Sequence, residues 1–82
     1  MQNILFFGKL TDVTGNLKLA SDIPENILTT HDLRLWLNTH FNTPHTFTHP
    51  SIRIALDGEI AHEPANINGA TEIALMPPVG GG

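Results

Sequence analysis

Eighty-two residues provide for one domain around one modest core. The absence of cysteine excludes disulfides, thiolate metal sites and a cysteine nucleophile. Four Lys plus Arg against eight Asp plus Glu give a net charge of −4, and the cations Lys9, Lys18, Arg34 and Arg53 are scattered. The basic stripe that neutralises phosphates is missing, so nucleic acid is not an expected partner.

The chain opens without a basic, apolar leader, and no run of about twenty apolar residues follows. A protein of the cytoplasm, away from membranes, is expected. In "NILFFGKL", Ile4 and Phe6 alternate with Leu5 and Phe7, which predicts a strand that is apolar on both faces. One face serves the core and the other needs a second explanation. After Lys9, a turn at Thr14-Gly15-Asn16 leads into "LKLA", where Leu17 and Leu19 share a face, and the two strands read as an antiparallel hairpin.

A helix follows. Thr29 is its expected N-cap with Asp32 three residues on, and Leu33, Trp36, Leu37 and Phe41 form its apolar stripe between polar Arg34, Asn38 and Thr39. The helix stops before Thr43-Pro44. Residues 42–50, "NTPHTFTHP", read as a surface loop.

Ile52, Ile54 and Leu56 alternate with Arg53 and Ala55 as a strand, and Asp57-Gly58 signals a tight hairpin to Glu59, Ile60 and Ala61. A turn at Asn68-Gly69 precedes "TEIALM", with Ile73 and Leu75 on one face and Ala74 and Met76 on the other. Pro77 and Pro78 end that strand because they cannot donate ladder hydrogen bonds. The predicted order is β-β-α-β-β-β, an α+β fold.

No constellation of side chains suggests catalysis. His40, His45 and His49 straddle a helix end and a proline-broken loop with no fourth ligand in view, and they read as solvated, as do His31 and His62. Trp36 has core spacing. Asp57 and Glu59 flank a hairpin tip and make no convincing acid–base pair. Phe7, Ile60 and Met76 are apolar residues on outer faces of strands whose inner faces already serve the core, so they are candidates for an exposed docking patch.

Three blocks, "LFFGKLTDVTG" at 5–15, "DLRLWLNTHF" at 32–41 and "IALMPPVGGG" at 73–82, together with the "ALDGEI" hairpin, resemble the ubiquitin-like sulfur carriers. Within that group the resemblance is to the small subunits of molybdopterin synthase, and Pro-Pro-Val followed by one residue and Gly-Gly is its specific part. Met76 stands where relatives often carry an aromatic, Asp57-Gly58 replaces an asparagine-containing turn, and Gly80 adds a third glycine.

The resemblance implies a β-grasp fold, a mixed sheet packed on one main helix, over residues 1–78, with a flexible glycine tail at 79–82. It implies that the chain is not catalytic alone. An ATP-dependent, E1-like enzyme, using magnesium-bound ATP, adenylates the Gly82 carboxylate. A sulfur donor protein then converts it to a thiocarboxylate, and the sulfur passes to a pterin precursor inside a heterotetrameric synthase. No cofactor or metal is bound by the chain itself.

The resemblance further implies that Gly80 and Gly81 thread the tail through a narrow channel, and that Phe7, Ile60, Met76, Pro77 and Val79 meet the activating enzyme and the large catalytic subunit. Fully extended, Pro77 through Gly82 reach roughly 20 Å at about 3.3–3.6 Å per residue. Two rival readings keep the same terminus: a modifier conjugated to other proteins through Gly82, and a sulfur carrier of the thiamine pathway.

Overall fold

The computed structural model describes residues 2–20 and 23–77. In chain order its elements are β1 (Asn3–Phe6), α1 (Leu10–Thr14), β2 (Lys18–Ala20), α2 (Thr30–His40), a 3-10 turn (Thr46–Thr48), β3 (Arg53–Leu56), β4 (Glu59–Ile60) and β5 (Glu72–Met76). The strands form one five-stranded sheet in the order β2-β1-β5-β3-β4. The central pair β1 and β5 is parallel, and the β1–β2, β3–β5 and β3–β4 pairs are antiparallel. The expected boundary between a domain at 1–78 and a tail at 79–82 lies outside the described residues.

Strand alternation builds the core. Ile4 and Phe6 of β1, Ile54 of β3 and Ile73 and Leu75 of β5 point to one face, where they are almost wholly buried with Leu33 and Leu37 of α2. The helix therefore lies across the inner face of the sheet. Its start follows from local chemistry: the Thr29 hydroxyl accepts the Asp32 N–H at 3.2 Å, and Asp32 Oδ2 accepts the Thr29 N–H at 3.3 Å, a reciprocal capping box. At the other end Asn42 takes φ 54 and turns the chain out before Pro44.

The predicted β3–β4 hairpin forms, with Asp57 at φ 49 and Gly58 at φ 87. Two consecutive positive φ angles match the right-handed twist of the strands, and Asp-Gly supplies them at low cost. Asp57 also has a structural use, since its Oδ1 accepts the N–H groups of Thr71 and Glu72 at 2.9 Å each and holds the start of β5.

The structure corrects several sequence expectations. The β1–β2 connection is not a bare turn but holds the helix α1, closed by Gly15 in the left-handed region. Leu17 precedes β2 and is 72 % exposed, so Leu19 alone of that pair packs on the core. Trp36 sits half-buried at the margin of the core, stacked near His40 with ring centroids 4.9 Å apart.

The larger correction concerns α2 and the loop after it. Arg34 and Asn38, expected to face solvent, are buried, while Leu35 is exposed. The cause is the 42–50 segment, which is not a surface loop throughout: its 3-10 turn drives Phe47 fully into the core. There Phe47 joins Phe6 and Phe41 in an aromatic cluster, with centroid separations of 5.5 to 6.0 Å. Burying Phe47 also buries backbone, and α2 must satisfy it. Asn38 Oδ1 accepts the Phe47 N–H at 2.8 Å, and Arg34 donates to the Phe47 carbonyl at 2.8 Å.

Candidate functional site

The outer face of the sheet, away from α2, carries the residues singled out from sequence. Register pairs Lys18 with Leu5, Leu5 with Ala74, Ala74 with Ala55 and Ala55 with Ile60, one row running across all five strands. Cross-strand partners share a face, so this row is outer throughout. One step toward the C-terminal end of β5, Met76 pairs with Arg53. Phe7 extends the β1 ladder by donating its N–H to the Leu75 carbonyl at 3.1 Å, which places it beside Met76.

The sheet thus brings Phe7 and Met76 together. Ile60 lies on the same face two strands away, with Ala74 and Ala55 between as a floor of small side chains. Phe7 and Ile60 are 48 % and 51 % exposed, and Met76 and Leu5 are half-buried. Lys18 and Arg53 stand in these two rows, while Glu72 lies at the opposite end of β5 beside Asn3. Sequence reasoning missed Leu5, Ala55 and Ala74 as parts of this surface. Period-two alternation already put all three on the outer face, but the strand order that aligns them was not available.

Pro77 is the last described residue of the C-terminal segment and is half-buried. Pro78, Val79, Gly80, Gly81 and Gly82, on which the tail-threading and terminal-carboxylate roles fall, lie outside the described residues. What the structure provides is their root: β5 is the central strand and ends next to Phe7.

A second cleft opens on the helix side, lined by Thr29, His31, Arg34, Thr48, Pro50, Glu63 and Pro64. Its chemistry is closed. All five guanidinium N–H groups of Arg34 are engaged by the Glu63 carboxylate and by the carbonyls of Phe47, His49 and Ile52. The hydrogen bonds from Arg34 hold the Glu63 carboxyl below the usual carboxylate range. Asp32, at the neighbouring helix start, is lowered too, chiefly by the Leu28 N–H that it accepts. Both are structural pairings, and neither residue lies on the outer face.

Among the described residues no three His, Cys, Asp or Glu side chains are placed to hold a metal ion. His40 packs between Trp36 and Phe41, and His49 Nδ1 lies 2.6 Å from the Ser51 hydroxyl, so local contacts occupy two members of the His40, His45 and His49 set. No helix among the described residues is long and apolar enough to cross a membrane.

A mixed sheet with a parallel central pair, one helix across its inner face and a C-terminal segment leaving the middle strand define a ubiquitin-like β-grasp domain. The crystal structure of SAMP1 from Haloferax volcanii superposes with a TM-score of 0.75 over 99 % of this chain and 98 % of that one, at 23 % identity. The family model of the ThiS family matches residues 4–82, and the chain belongs to that family of ubiquitin-like sulfur carriers. It is a small carrier domain and not itself a catalyst, of a kind that generally pairs with E1-like activating enzymes and sulfur-transfer partners. No curated protein matches the chain.

Proposed function

We propose that this chain carries sulfur on its C-terminal glycine for molybdopterin synthesis, as the small subunit of the synthase. The observation that carries the reading furthest is that the family match runs through residue 82, so the Val-Gly-Gly-Gly segment belongs to the matched domain. The Pro77-Pro78-Val79 sequence before the glycines favours the pterin pathway over the thiamine one.

A carboxylate has no adequate leaving group and must be activated. The Gly82 carboxylate attacks the α-phosphorus of magnesium-bound ATP on the activating enzyme, releasing pyrophosphate and forming an acyl-adenylate. The terminal sulfur of a donor protein's persulfide then displaces AMP, which departs with one of the original oxygens. A second thiol cleaves the resulting acyl disulfide at its S–S bond, leaving a thiocarboxylate and a disulfide on the donor side. That sulfur, ionised at neutral pH, is the nucleophile delivered to the pterin precursor in the large subunit. The outer face with Phe7, Ile60 and Met76, together with Pro77 at the root of the tail, docks on both partners, and Val79, Gly80 and Gly81 enter the channel.

Intact-mass measurement of the chain from its native host tests this reading: one C-terminal oxygen is replaced by sulfur, and a chain deleted of Gly82 supports no pterin sulfuration. Higher-mass conjugates through Gly82 without the thiocarboxylate would identify a modifier instead. A thiocarboxylate that serves only thiazole formation would identify the thiamine carrier.

A further inference from the structure

Phe7 makes the last ladder bond between β1 and β5, donating to Leu75. In a parallel ladder the next bond runs from the N–H of residue 77 back to the Phe7 carbonyl. Proline has no N–H, so that bond does not form. The Phe7 carbonyl instead accepts the Leu10 N–H at 3.2 Å, which opens α1. The strand that bears the C-terminal segment therefore ends against a helical turn and not against another strand.

Gly8 sits in that turn at φ +56, and its carbonyl accepts both the N–H and the hydroxyl of Thr11, at 3.2 and 2.9 Å. A β-carbon on Gly8 would lie 2.9 Å from Pro77 Cγ, closer than real β-carbons come to any non-bonded atom. The Pro77 ring rests on bare glycine backbone. A left-handed φ alone does not demand glycine, because asparagine accepts it readily. The contact with Pro77 does.

We infer that Gly8 is a positioning residue for the C-terminal segment: by seating Pro77 on its backbone it sets the direction in which the chain leaves β5. The inference rests on the sulfur-carrier reading above, since it matters only if the terminus must reach a partner's active site. Once the segment is held extended in a partner's channel, an ångström of displacement of Pro77 at the root shifts the reacting carboxylate by a like amount. Misplacement of that order costs about tenfold to a hundredfold in rate.

The test is ATP–pyrophosphate exchange with the activating enzyme of the same host, comparing wild type, Gly8→Asn, Pro77→Ala and the double variant. Gly8→Asn keeps the left-handed turn but adds the β-carbon; Pro77→Ala removes the ring and restores the missing N–H. Both single variants fold. Gly8→Asn keeps the wild-type KM because Gly8 is no part of the docking surface, Pro77→Ala is compared at saturating carrier because Pro77 is, and kcat falls in each by about ten- to a hundredfold. The double variant is no slower than the slower single, since both act on one contact.

Wild-type kcat in either single variant overturns the inference, as do losses that multiply in the double. Should Gly8→Asn fail to fold, Pro77→Ala alone decides: a reduced kcat at saturating carrier supports the inference and a normal kcat overturns it. Absence of exchange with the wild-type chain overturns the sulfur-carrier reading and this inference with it.

Discussion

Arg34 and Glu63, twenty-nine positions apart, form a two-point ion pair, with Nε 2.9 Å from Oε1 and a terminal nitrogen 2.6 Å from Oε2. The same guanidinium ties α2 to the 3-10 turn and to the entry of β3. Arg34→Met leaves the carbonyls of Phe47 and Ile52 without the Arg34 donor and Glu63 without its partner, and the expected loss is about 2–4 kcal/mol of stability. Urea unfolding measures it as a lower midpoint at unchanged slope. Arg34→Lys recovers only part of the loss, because a single ammonium cannot reproduce the planar fork.

Acid should dissolve this pair before it dissolves the fold. The folded-state carboxyl of Glu63 is lowered by its hydrogen bonds to Arg34, so its contribution is complete above the ordinary glutamate range and is lost as pH falls through the lower folded value. Asp32 behaves the same way. The stability difference between wild type and Glu63→Gln is therefore constant near neutrality and shrinks below about pH 4.5, the ordinary glutamate value. Denaturant titrations of both proteins across that range check the sign.

Thr29→Ala removes the hydroxyl that receives the Asp32 N–H at 3.2 Å. A cap of this kind contributes about 1 kcal/mol. Thermal unfolding should show a drop of that size, with no change in exchange activity because the capping box lies on the helix side.

Ile60→Asp tests the outer face. Ile60 is 51 % exposed, so its burial on a partner is worth about half of the 1.5–3 kcal/mol for a full side chain, or about a three- to twelvefold change in Kd. Calorimetric titration against the proposed partner, the large synthase subunit, should show that weakening while the melting temperature holds. Leu75→Asp, on the inner face with no exposure, should unfold the domain. Loss of the fold in Ile60→Asp would remove Ile60 from the docking surface.

Much of this architecture was legible because short-range rules decide it. Alternation in residues 3–7 and 72–76, the Thr29–Asp32 cap and the Asp57-Gly58 turn each act within a few residues. What escaped was decided at long range. Nothing local distinguishes Phe47 from a loop aromatic until the shelf formed by Phe6 and Phe41 exists to receive it. Arg34 and Asn38 read as polar spacers because their buried partners lie 9 to 29 residues away. Gly8 passed as one more strand residue, since its reason is Pro77, at the far end of the chain. The outer face was half legible: its residue types were visible, but strand order β2-β1-β5-β3-β4 alone tells which of them adjoin.

The central place of β5 has a mechanical consequence. It is bonded to β1 on one side and β3 on the other, and Pro77 follows it directly. A partner that draws on the terminus along that axis loads both ladders in shear, so their hydrogen bonds resist together. A tail leaving an edge strand, loaded from the side, would peel its ladder one bond at a time. A pull on the end of β5 is therefore shared by two ladders and does not unzip the sheet from an edge.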